Sequence, residues 1–107
     1  MAKASYWQRG ESLDYKNGTD AVIEANTVID LATRIGIVGT TINPGEVGSL
    51  HVTGVYQLPK TGTAEIAMGA AVTFDGDGIT TGTGTPAGYA AAAAEAGDAF
   101  ILVKLLG

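Results

Sequence analysis

The longest stretch of two-residue alternation runs over residues 48–61, GSLHVTGVYQLPKT. Leu50, Val52, Gly54, Tyr56 and Leu58 fall on one face, and His51, Thr53, Val55 and Gln57 on the other. That is the pattern of a half-buried strand with unequal sides. Shorter runs bracket it. DAVIEA (20–25) predicts a strand, with a turn through Glu24-Ala25-Asn26-Thr27. Over residues 27–34, Val28, Leu31, Ala32 and Ile35 sit near helical spacing, and Asn26 or Thr27 could cap a helix. The segment is short and dense in β-branched residues, which favours strand. A further strand over 34–38 leads to a turn at Asn43-Pro44-Gly45, where proline fixes one φ and glycine is free to take a positive one.

Beyond the central run, Pro59-Lys60-Thr61-Gly62 reads as a loop, residues 70–74 as a strand, and Gly76-Asp77-Gly78 as a tight turn into Ile79-Thr80. TGTGTP (81–86) has the composition of an exposed, mobile loop. Residues 89–94 are too short for an independent alanine helix. Set between Gly/Pro clusters, they predict a strand packed closely against another backbone. AFILVKLL (99–106) is nearly continuous apolar and is expected to be the most buried strand. Residues 1–19 are polar and irregular, an arm carrying Tyr6, Trp7 and Tyr15 ahead of a β-domain over 20–107. Aromatics in such an arm need an apolar partner surface, on this subunit or on a neighbour. The pattern shows no linker, no second domain and no repeat long enough to count.

Composition narrows the class. At 107 residues the chain suits one domain burying roughly 65% of its unfolded surface. Sixteen glycines and only 16% charged residues favour short strands joined by turns. A formal charge of −5, with Lys3, Arg9, Lys16, Arg34, Lys60 and Lys104 spread singly, argues against a nucleic-acid partner, which needs clustered cations. No apolar run approaches the ~20 residues of a membrane span, and the N-terminus lacks a signal-peptide core, so no membrane partner is expected. With no cysteine, disulfides and thiolate metal sites are excluded, as fits a reducing compartment.

Three near-motifs invite chemistry. Gly54 with Lys60-Thr61 approximates a phosphate-binding loop, but Pro59 stands where the second glycine belongs. Proline offers no N–H to a phosphate, and the candidate loop is itself strand-like with no helix behind it. Asp75-Gly76-Asp77-Gly78 begins like a calcium loop, yet Ile79 and Thr80 occupy the next ligand and glycine positions, so a hairpin turn explains it better. His51 is the one histidine. Ser5, Ser12 and Ser49 have no nucleophile-elbow context, and a zinc site would need more nitrogen or sulfur ligands. The carboxylates mostly flank turns, with nothing to pair any two as acid and base. No active site and no cofactor or metal site is expected.

The blocks KASYWQRGESLDYKN, TRIGIVGTTINPGEVGSLHVTGVYQLPK, GAAVTFDGDGIT and PAGYAAAAAEAGDAFILVKLLG together resemble a family of small tailed-phage and prophage capsid decoration, or cement, proteins. The resemblance covers nearly the whole chain and is most specific over residues 34–60. It implies an all-β fold, a small barrel or sandwich, and a non-enzymatic protein on the outer surface of the virion, made in the host cytoplasm. By similarity to other decoration proteins, it implies a homotrimer bound to the major capsid protein. Tyr6, Trp7, Arg9 and Tyr15 are then the expected anchors, with His51, Thr53 and Gln57 on the polar side of the central strand meeting a neighbouring subunit or the shell. Members have also been labelled phage recombinases, a role that would require the phosphate-binding loop Pro59 spoils. A host- or glycan-binding module stacking sugars on Tyr6, Tyr15, Tyr56 or Tyr89 is the other alternative.

Overall fold

The computed structural model describes residues 1–106, with nine strands and no helix among them. They are β1 (Ser12–Lys16), β2 (Val28–Asp30), β3 (Ile35–Val38), β4 (Val47–His51), β5 (Val55–Pro59), β6 (Ala71–Phe74), β7 (Ile79–Thr80), β8 (Thr85–Ala90) and β9 (Phe100–Leu105). One sheet has the order β1-β4-β3-β2 and the other β5-β9-β8-β6-β7. All strand pairings are antiparallel. A single parallel bridge, Lys60 to Ile79, brings β7 back towards the end of β5 without closing a barrel. The expected all-β fold is thus a sandwich-like single domain.

The second sheet rebuilds the first. Matching β1, β2, β3 and β4 to β5, β6, β8 and β9 gives the same spatial order, with β7 added at the edge. Backbone bonds outside the strands recur at corresponding places. Ile23 and Ile42 exchange N–H···O bonds in the first unit, as Ile66 and Ala94 do in the second. Each of these four residues opens a turn, closed by N–H bonds from Thr27 to Glu24, Glu46 to Asn43, Ala70 to Ala67 and Asp98 to Glu95. Even a side-chain bond repeats: Asn43 N–H donates to the Glu46 carboxylate, and Glu95 N–H to the Asp98 carboxylate. Past the first strand of each unit, Asn17 N–H donates to the Glu46 carbonyl and Lys60 N–H to that of Ala99. The chain is therefore one four-stranded unit used twice, contrary to the expectation of no repeat.

The units meet at β3, whose four residues are all buried. Val38 faces its own unit, packing with Ile42, Leu50 and Val52. Ile35 and Ile37, on the opposite face of the strand, enter the larger core of the second unit beside Leu58, Val72, Ile79, Ile101 and Val103. A strand apolar on both faces belongs between two layers.

Several expected elements take a different form. The central alternating run is two strands, β4 and β5, lying in different sheets and joined through Val52-Thr53-Gly54. Gly54 turns the chain at φ 114°, a value that L side chains disfavour. Alternation survives the break, since Leu50, Val52 and Leu58 are buried while Val55 and Gln57 are exposed. Residues 20–25 are irregular apart from the Ile23 bridge, and β1 lies inside the stretch read as irregular arm. Within 27–34 only β2 is strand, after which Leu31 N–H bonds the Arg34 carbonyl at 2.8 Å and reverses the chain. β8 begins inside TGTGTP and ends at Ala90. β9 is buried on one face only, with Ile101, Val103 and Leu105 inward and Phe100 and Leu102 outward, so β3 and not β9 is the most buried strand.

Candidate functional site

The first nine residues have no regular structure and are all exposed, Tyr6 at 84% and Trp7 at 90%. Alternation begins only at β1, so nothing in the local sequence gives the arm a sheet to join. Lys3 and Arg9 make it basic against one acid, Glu11, on a chain whose formal charge is −5. Fully extended, these nine residues reach at most about 32 Å. A basic aromatic arm of that reach, free of its own body, can anchor the chain to another surface.

The remaining expected contact residues do not share one face. Tyr15 lies on β1, half-buried against the core of the first unit. His51 is half-buried on β4, opposite Ser12 of β1 and Ile37 of β3. Its imidazole fills the space that a side chain at residue 39 would take, so Gly39 is what admits it. Thr53 sits in the link between sheets, its hydroxyl accepting from Lys104 Nζ at 3.3 Å. Gln57 is exposed on the second sheet, opposite Leu102. The chain break at Gly54 is what separates His51 from Gln57.

The near-motifs resolve into structure. Lys60 is buried, and its Nζ donates to the carbonyls of Gly62 (3.0 Å) and Ala96 (3.3 Å). It locks two loops together and does not face a phosphate site. Asp75 Oδ1 accepts from the N–H groups of Asp77 and Gly78, both at 2.9 Å, and Thr61 Oγ1 donates to Oδ2 at 2.6 Å. Chiefly the Thr61 hydroxyl, then these two N–H groups, hold the Asp75 carboxyl below its ordinary pKa. These are the bonds of a hairpin turn. Among the described residues no His, Asp and Glu side chains gather in a metal-binding group.

A surface that the hydrophobic pattern conceals lies on the second sheet. Val55, Tyr89, Phe100 and Leu102 are exposed there. The register sets Val55, Lys104, Tyr89 and Ala71 in one row across β5, β9, β8 and β6. A continuous apolar run reads as buried on both sides, which hid Phe100 and Leu102. Lys104, two residues past Leu102 and so on its face, was the one polar marker. Between the units, Asn26, Val28 and Ile37 face Tyr56, Leu58 and Pro59 across a cleft of about 140 Å³, below the ~300 Å³ at which small-molecule pockets begin.

The fold is a small β-sandwich with an exposed aromatic arm and an exposed apolar sheet face. The chain belongs to the phage cement protein family, whose model matches residues 7–105. That assignment agrees with the resemblance drawn from the sequence blocks and gives the chain a capsid-associated role. No curated protein and no solved structure matches it.

Proposed function

We propose that this chain decorates the outer surface of a phage head, binding the major capsid protein across neighbouring capsomers and stabilising their lattice. Membership of the cement family over nearly the full chain carries the reading. The arm supplies a mechanism: Tyr6 and Trp7 bury against the shell, and Arg9 and Lys3 approach acidic groups on it. Binding that favours the assembled lattice over free capsomers stabilises it by mass action. Grouping as a homotrimer multiplies several weak contacts into one strong one. The role asks for shape and adhesion and for no bond-making chemistry, and the chain is made in the host cytoplasm before joining the virion.

Purified chain is added to expanded heads that lack it, and both occupancy and the temperature of head disruption are measured. Wild type is expected to bind and to raise that temperature. Tyr6→Ala with Trp7→Ala is expected to stay folded, since neither side chain belongs to the core clusters, and to lose binding at least tenfold. Full occupancy by the folded double variant would remove the arm from the mechanism. Failure of wild type to bind would remove the reading itself.

A further inference from the structure

The repeat makes it possible to ask what covers each unit at equivalent positions. In the first sheet, Ser12, His51, Ile37 and Val28 form a row across β1, β4, β3 and β2. It corresponds strand by strand to the row Val55, Lys104, Tyr89 and Ala71 of the second. The first row is covered: Ile37 is 3% exposed, and Val28 packs with it against the core of the second unit. Its counterpart Tyr89 is 48% exposed. Ile35, opposite Asp30, is buried in that same core, whereas Pro86, in the matching place opposite Thr73, is exposed.

The receiving side is unequal in the complementary sense. In the second unit, Tyr56 and Leu58 of β5 border the place where Ile37 and Val28 enter. Their counterparts on β1 are Leu13 and Tyr15, by their matched pairings to Leu50 and Gly48 on β4 and to Val103 and Ile101 on β9. Leu13 is 42% exposed where Tyr56 is half-buried, and Tyr15 is half-buried where Leu58 is fully buried. One chain thus carries an exposed donor face and, at Leu13, an exposed receiving edge beside the partly packed Tyr15, at positions whose equivalents already pack together inside it.

The geometry points to a second copy of this chain as the occupant. The outer face of the second sheet of one copy (Ala71, Pro86, Tyr89) docks on the β1 side of the first sheet of the next (Leu13, Tyr15), repeating between chains the contact that joins the two units within each. This interface is heterologous: its two surfaces differ, so contacts run head to tail and close into a ring or continue. Val55, in the same row as Tyr89, and Phe100 and Leu102 of β9 extend the donor face. The inference rests on the self-association of the proposed function and gives it an interface, while its test, on the chain alone in solution, is independent of capsid binding.

The test uses two variants at exposed positions, Tyr89→Glu on the donor face and Leu13→Glu on the receiving edge, with circular dichroism and thermal melting to establish that each folds. Masses are measured by light scattering and native mass spectrometry as concentration rises. Wild type is expected to assemble beyond the dimer, and each variant alone to remain monomeric. An equimolar mixture is expected to form a heterodimer and stop there, because one intact donor meets one intact edge. A chain lacking residues 1–9 is expected to assemble like wild type. Monomeric wild type at high concentration, a mixture that stays monomeric, or loss of assembly on removing the arm would each overturn the proposal. The last of these would identify the arm as what covers the face.

Discussion

Two polar residues, Asn17 and Lys60, are buried among the described residues, and they occupy the same place in the two units. Asn17 Nδ2 donates to the carbonyls of Ala21 (2.8 Å) and Ile42 (2.9 Å), and Lys60 Nζ to those of Gly62 and Ala96. Each satisfies carbonyls in loops that the repeated turn brings over the end of the first strand, so polar burial carries no orphaned groups. Neither was legible in sequence. Asn17 lies among polar residues that look solvated, and its partner Ile42 is distant in the chain. Lys60 resembled a phosphate ligand because spacing reports neighbours along the chain and not those across a fold. The Asp75 turn is legible because Asp77 and Gly78 are local partners, whereas Thr61, 14 residues away, is not. Its folded pKa lies below the unfolded value of about 3.9. Its contribution to the β6–β7 hairpin is therefore complete above pH ~4 and is lost as pH falls through the folded pKa. Thr61→Val removes the first cause of that shift. An NMR titration of the Asp75 carboxyl should show an upward move in the variant, and an unchanged titration would contradict the assigned cause.

Elements were legible where local pattern and tertiary packing agree. Ile35–Val38, Ala71–Phe74 and the turns at Asn43-Pro44-Gly45 and Gly76-Asp77-Gly78 match what alternation and turn chemistry predict. They were illegible where the fold overrides periodicity. A change of sheet at Gly54 keeps the pleat in phase and so leaves no mark on the alternation. A turn built around one bridged residue, as at Ile23, looks like a strand. Of residues 89–94, expected to form a strand packed closely against another backbone, only Tyr89 and Ala90 are strand, and the close approach lies before them at Gly88, φ 139°, where an added Cβ would collide with the Lys104 carbonyl. A backbone atom of a paired strand cannot step aside as a flexible side chain can. Gly88→Ala is expected to combine backbone strain with overpacking and to cost about 3 kcal/mol or more. Urea unfolding measures it; a loss below about 1 kcal/mol would mean that β8 and β9 are not held in this register.

At the scale of the molecule, two units of the same topology present dissimilar surfaces. Two units share strand order and turns, but the corresponding faces differ, with Ile37 matched by Tyr89 and Val28 by Ala71. One face seals the inside of the chain and the other remains available. The whole chain, arm included, spans 42 × 41 × 20 Å, a flat shape suited to lying on a shell. The family was legible from the order of sequence blocks, while the repeat was not, because equivalent positions carry different residues and β7 with its turn interrupts the second copy. The most direct measurement of the central claim is a cryo-electron microscopy comparison of heads from a phage encoding this chain with heads from the same phage lacking it. The account predicts density of these dimensions on the outer surface, absent from the deletion, with the arm traceable into the major capsid protein. Identical outer surfaces in the two reconstructions would contradict it.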